Sequence, residues 1–147
     1  MKIWTIIFLA IITTLATSCD KVPINGDLDG MWQVMSITHN GQVEEVKEQQ
    51  SYLSIQLHLF QLGTLANSIQ YFGYFDHTKD SLYLRNISVP SQHEQAGEDD
   101  VLIDERDIAK LHRWGIYRSP DGFKVITLNN DKLVLQSDSV TVSFRKF

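Results

Sequence analysis

The chain has 147 residues, 43% hydrophobic and 21% charged, which places it in the globular range and excludes collagen-like and disordered classes. Its net charge is −5, and the densest charged stretch, Glu98-Asp99-Asp100 with Asp104-Glu105-Arg106-Asp107, is acidic. Phosphate-backbone binding needs clustered Lys and Arg, so nucleic acid is not an expected partner. A single cysteine, Cys19, excludes an internal disulfide, and the length allows one domain with one modest core.

Met1-Lys2 gives a short positive start, and Ile3 to Ala16 is an apolar run broken only by threonines. A spanning helix needs about 20 apolar residues. The shorter run, ending in small residues, predicts a signal peptide over residues 1–18. Leu15-Ala16-Thr17-Ser18 before Cys19 resembles the bacterial lipobox. That resemblance implies cleavage before Cys19 and modification of its sulfur by a lipid group that carries two fatty chains such as palmitate. The alternative is a soluble secreted protein cut near Ala16. Residues 19–28, polar and carrying Pro23 and Gly26, are expected to form a lipidated tether, and residues 29–147 the folded domain. One acyl chain binds a membrane only reversibly, whereas two or three hold a domain there. The expected location is the bacterial cell envelope, lipid-anchored, with the outer membrane favoured and the domain facing the periplasm or the surface.

The first strong pattern beyond the tether is Met31–Thr38, followed by a weaker run at Gln42–Val46. Leu53, Ile55, Leu57 and Leu59 then alternate with Ser54, Gln56, His58 and Phe60, the period of two expected of a half-buried strand. Further runs follow at Ile69–Phe75, Leu82–Asn86, Phe123–Leu128, Leu133–Gln136 and Val140–Phe147. Turn residues separate them at Asn40-Gly41, 76–80, 129–131 and 137–139, favouring antiparallel hairpins. About eight strands so joined predict a mostly β chain closed into an up-and-down antiparallel barrel, because closure removes exposed edges.

One segment departs from this pattern. Asp104 suits an N-cap, Ile103 can staple to Ile108, and Gly115 suits the helix end with Ile116 against Leu111. These features predict one short helix, Glu105–Trp114, before the last three strands. The polar stretch Ser88–Asp100 before it reads as a long loop.

Asp29-Gly30-Met31-Trp32 opens the first strand, and Gly30-x-Trp32 resembles the Gly-x-Trp signature of lipocalins. Together with the strand count, Trp114-Gly115-Ile116 after the helix, and the final Ser143-Phe144-Arg145-Lys146-Phe147, the chain is similar to small lipocalin-like lipoproteins of Gram-negative bacteria. The resemblance implies that Gly30 and Trp32 close one end of the barrel against a basic residue, here assigned to Arg145. Tyr71, Tyr83 and Phe123, aromatics on strands next to the long loop, are the candidate ligand-lining residues.

The functional expectation is a membrane-anchored binding protein for a small hydrophobic ligand. The alternative is an envelope interaction or inhibitor protein, whose filled barrel meets a protein partner through its loops. An open apolar cavity favours the first and a filled interior the second. His39, His58, His77, His93 and His112 show no metal-ligand spacing, and no nucleophile–base pair, phosphate loop or dinucleotide motif is present. Catalytic residues, metals and cofactors are therefore not expected, and the chain does not read as an enzyme. Replacing the anchor residue, Cys19→Ser, is expected to move the protein from membrane to soluble fractions on cell fractionation; unchanged membrane association would show another tether.

Overall fold

A computed structural model describes residues 24–66, 70–90 and 101–147. The signal peptide, Cys19, most of the tether, Ile69 and residues 91–100 of the expected long loop lie outside the described residues.

The strands are β1 (Gly30–His39), β2 (Gln42–Glu45), β3 (Ser51–Gln56), β4 (Leu59–Thr64), β5 (Tyr71–His77), β6 (Ser81–Val89), β7 (Val101–Leu102), β8 (Asp121–Leu128), β9 (Lys132–Gln136) and β10 (Thr141–Lys146). One helix, α1 (Ile108–Leu111), precedes the last three. Neighbouring strands run β10-β9-β8-β6-β5-β4-β3-β1, and β10 pairs back onto β1. The result is a closed, eight-stranded antiparallel barrel of lipocalin-like form, with short β2 and β7 as accessories on β1 and β6.

Membership of the ring differs from the sequence reading at two places: the weak run Gln42–Val46 is the accessory β2 and not a ring strand, and one expected strand is two. The alternation from Leu53 to Phe60 does not form one strand. The chain reverses at Leu57-His58, so that Gln56 pairs with Leu59 and Ser51 with Thr64. The cause lies in the backbone: Leu57 has φ 58°, the left-handed region where turn chemistry ordinarily supplies Gly or Asn. Reversal also changes which residues face inward, since Leu53, Ile55, Phe60 and Leu62 are buried while Leu57 and Leu59 are exposed.

Closure depends on the β1–β10 pair. Trp32 lies opposite Lys146 and Val34 opposite Phe144, then the register shifts so that Ile37 faces Val142. This irregularity at Met35 moves the inward phase of β1 from even to odd residues. Trp32, Val34 and Ile37 consequently all point to the core. The displaced Met35 carbonyl accepts the Val46 N–H at 2.9 Å.

Each end of the barrel has an indole. At the base, Trp32 is fully buried and donates its Nε1–H to the Leu28 carbonyl at 2.8 Å. Leu28 belongs to a 3-10 turn, Gly26–Leu28, laid across that end. At the opposite mouth, Trp114 donates to the Tyr52 carbonyl at 2.9 Å and meets the Tyr71 ring edge-on. Leu111 and Ile116 are buried beside it. Between the two indoles, the described inward side chains pack as one contiguous cluster.

The helical segment is shorter than its composition predicts. Asp104 caps a turn by accepting the Arg106 N–H at 2.9 Å, α1 spans a single turn, and His112–Trp114 tightens to a 3-10 turn. Gly115, with φ 75°, ends it by donating to the His112 carbonyl at 2.9 Å, while Ile116 reaches Leu111 at 3.4 Å. These two bonds form a Schellman end. A Cβ at Gly115 would collide with Val142 of β10, so this glycine also sets how deeply the plug seats. Removing the basal indole with Trp32→Ala is expected to cost about 3–5 kcal/mol, measured by urea unfolding; an unaltered midpoint would contradict its role as a stopper.

Candidate functional site

The base is the better-sealed end. Gly30 has φ 123°, and a Cβ there would come within 2.9 Å of the Lys146 Cε, so the Lys146 chain runs directly across this glycine. Its ammonium sits 4.9 Å from the Trp32 ring centroid and donates to the Asp27 carbonyl at 2.8 Å. The cationic partner of Trp32 is therefore Lys146 and not Arg145. Alternation explains the correction: Val142 and Phe144 face inward, so the next residue on that face is 146. Arg145 points outward instead, giving a 3.2 Å hydrogen bond to Gln33 Oε1, whose Nε2 donates to the Lys47 carbonyl at 3.1 Å.

The three proposed lining residues separate. Tyr71 and Phe123 are buried inward-facing members of the core, and burial pushes the Tyr71 phenol above its usual pKa. Tyr83 lies on the outer wall, 42% exposed, because its neighbours Leu82 and Leu84 take the inward positions of β6. Tyr83 is thus not a lining residue of the interior; its ring covers Gly122.

Concave surface is found instead around the mouth plug. One cleft of about 550 Å³ is lined by Ile103, Asp104, Glu105, Ile108, Tyr117, Arg118 and Ser119. A second hollow of about 380 Å³ includes Ile37, His39, Glu44, Lys110, Arg113 and again Tyr117. Tyr117 is shared by both. Its hydroxyl and His39 Nε2 share a 2.7 Å hydrogen bond, and its ring stacks on His112 at 4.2 Å. Burial, reinforced by Glu44, raises the Tyr117 pKa, so the phenol stays protonated through the neutral range. The Asp121 carboxylate, itself buried, holds the approach to this residue by accepting from Tyr117 N at 3.3 Å, Gly122 N at 2.9 Å and Arg118 Nε at 3.1 Å.

Chemically, the larger cleft offers an apolar floor of Ile103, Ile108 and the Tyr117 ring, with ionic groups at its rim. The smaller hollow is polar and carries both charge signs. Among the described residues, no three His, Cys, Asp or Glu side chains gather as a metal set. Tyr117, His39 and Asp121 escape a reading of the sequence because His39 lies 78 positions from Tyr117, farther still from Asp121, and the three carry no local motif.

A family model described as lipocalin-like domain matches residues 13–147, and the chain belongs to that family. Among solved structures, it is similar to a lipocalin-like protein from Bacteroides uniformis, with 22% identity and a TM-score of 0.59 over 83% of this chain and 100% of that one. A second likeness is to a protein from Bacteroides eggerthii, with 18% identity and a TM-score of 0.58 over 82% of this chain and 99% of that one. At these identities the structural likeness shows the fold alone. No curated protein sequence matches the chain.

The two basic residues of β10 are expected to separate on substitution. Lys146→Met should lower stability by about 0.5–2 kcal/mol through the lost cation–π contact and loosen the packing around Trp32, while Arg145→Met, which loses only the 3.2 Å bond to Gln33, should leave the Trp32 emission unchanged. Thermal unfolding and tryptophan emission of the two variants check this, and an equal change of emission in both would put the assignment of Lys146 in error.

Proposed function

We propose that the protein is a membrane-anchored lipocalin-like binding protein of the bacterial cell envelope, which holds a small hydrophobic ligand at the helix-bearing mouth of its barrel. The observation that carries this reading is the cleft of about 550 Å³ beside α1, floored by Ile103, Ile108 and Tyr117. Its size falls within the roughly 300–1,000 Å³ of small-molecule sites, which combine apolar walls with a few polar groups. Asp104, Glu105 and Arg118 supply the polar rim.

The packed core is the filled interior that favours the alternative, an envelope interaction protein, over a ligand held inside the barrel. The ligand reading therefore rests on the cleft beside α1 and not on the barrel centre, where Tyr71 and Phe123 are already engaged with other side chains. With Trp32 sealing the base, the ligand enters from the mouth. The covering element there is a single helical turn and a 3-10 turn ended by glycine, seated through buried Leu111, Trp114 and Ile116, and the cleft lies beside it. Family membership supports a binding role in general terms, whereas the ligand class rests on the cleft, since function belongs to the site and not to the fold. In this reading, acyl chains on Cys19 keep the domain at the membrane, where apolar ligands are found.

Fluorescent fatty-acid titration of residues 20–147 tests the site. Saturable binding of one probe per chain is expected. Ile108→Asp should weaken it by at least about tenfold, as expected for a charge facing a buried apolar group. Tyr83→Ser, on the outer wall, should leave it unchanged. Failure to bind any such probe or a native lipid extract, or full binding by Ile108→Asp, would overturn the proposal.

A further inference from the structure

Leu57 is the most unusual exposed residue of the barrel. It sits at the tip of the β3–β4 hairpin with φ 58° and is 56% exposed. A branched apolar side chain in the left-handed region costs stability, and water around it costs more. Glycine or asparagine would remove both penalties. Conformational strain of this kind, held where no core packing requires it, points to a role for the side chain itself.

Its surroundings extend the apolar character. Leu59, two residues on, is 47% exposed and lies directly across from Tyr74, which is 46% exposed. The Arg85 guanidinium packs 5.6 Å over the Tyr74 ring, and Tyr83 faces outward on the same strand. On the other side stands Ile24, 58% exposed. The Asn25 Nδ2 donates to the Leu57 carbonyl at 2.9 Å, so the chain leaves the barrel toward Cys19 right beside this tip. Five residue steps separate Ile24 from Cys19, a reach of at most about 18 Å at 3.3–3.6 Å per residue.

We propose that this basal corner is a membrane-docking surface, in which Leu57, Leu59 and Ile24 enter the bilayer interface while Tyr74 meets the headgroups, its ring backed by Arg85, which is paired with Asp76 at 2.9 Å. The inference rests on the anchored reading of Cys19, because the short tether is what brings this corner to the lipid. Tyrosine is enriched at the membrane–water boundary, and exposed apolar patches of this kind mark interaction sites. The occupant is a lipid surface and not a second protein, given that the tether ends within reach of the patch. Docking here leaves the mouth, at the far end of the barrel, directed away from the membrane.

Because all eight ring strands and both indole plugs lie within residues 24–147, residues 20–147 fold without the leader and can be used free of acyl chains. The experiment is flotation with vesicles of phosphatidylethanolamine and phosphatidylglycerol. The unmodified domain should partition measurably onto them, and the double variant Leu57→Asn/Leu59→Ser should lower that partitioning roughly tenfold. Leu57→Asn alone should hold or raise the melting temperature, since asparagine accepts the left-handed turn; a purely structural leucine would lose stability instead. Equal partitioning of the double variant, or a parent domain that ignores vesicles while Cys19 is acylated by mass spectrometry, overturns the docking surface and leaves the anchor intact. A bare Cys19 thiol in membrane-extracted protein overturns the anchored reading and the docking geometry together.

Discussion

The structure depends on the pairing of its first barrel strand with its last. Without the β1–β10 ladder, the remaining seven pairings would leave an open, strongly twisted sheet with two unprotected edges. The irregularity at Met35 matters because it lets one strand serve two requirements. Before it, Trp32 and Val34 face inward against Lys146 and Phe144; after it, Ile37 faces Val142. A regular strand would have turned one of these sets toward water, since a shift of one residue moves a side chain to the opposite face.

Once the ring is closed, its ends decide what the molecule can do. They are built differently. The base is sealed by Trp32, with the Lys146 chain laid over Gly30 and the 3-10 turn beneath. Trp32 donates to the Leu28 carbonyl and Lys146 to the Asp27 carbonyl, so β1 and β10 are both tied to the 3-10 turn. The mouth is covered by an indole on a short, glycine-ended turn, held by its bond to the Tyr52 carbonyl and by buried Leu111 and Ile116.

Much of this was legible in the chain. Alternation located seven of the eight ring strands to within a few residues, and Gly30-x-Trp32 identified the basal indole. Two misassignments show where periodicity fails. Leu57-His58 contains none of the residues that normally announce a turn, so alternation ran through it unbroken and two strands read as one. Arg145 answers the expectation of a basic residue on the last strand, yet Val142 and Phe144 place 146 and not 145 on the inward face. The same counting puts Tyr83 outside, between inward Leu82 and Leu84. The mouth cleft is a different case: Ile103, Ile108, Tyr117 and His39 are joined only by tertiary packing, and no local pattern announces it.

The central claim, a closed barrel stoppered at both ends by indoles, has a direct optical test. Of three tryptophans, Trp4 lies before residue 20, so residues 20–147 carry only Trp32 and Trp114. Acrylamide quenching of native tryptophan emission should find both indoles blue-emitting and resistant until the domain unfolds. A red-emitting, freely quenched indole in the native state would contradict the account.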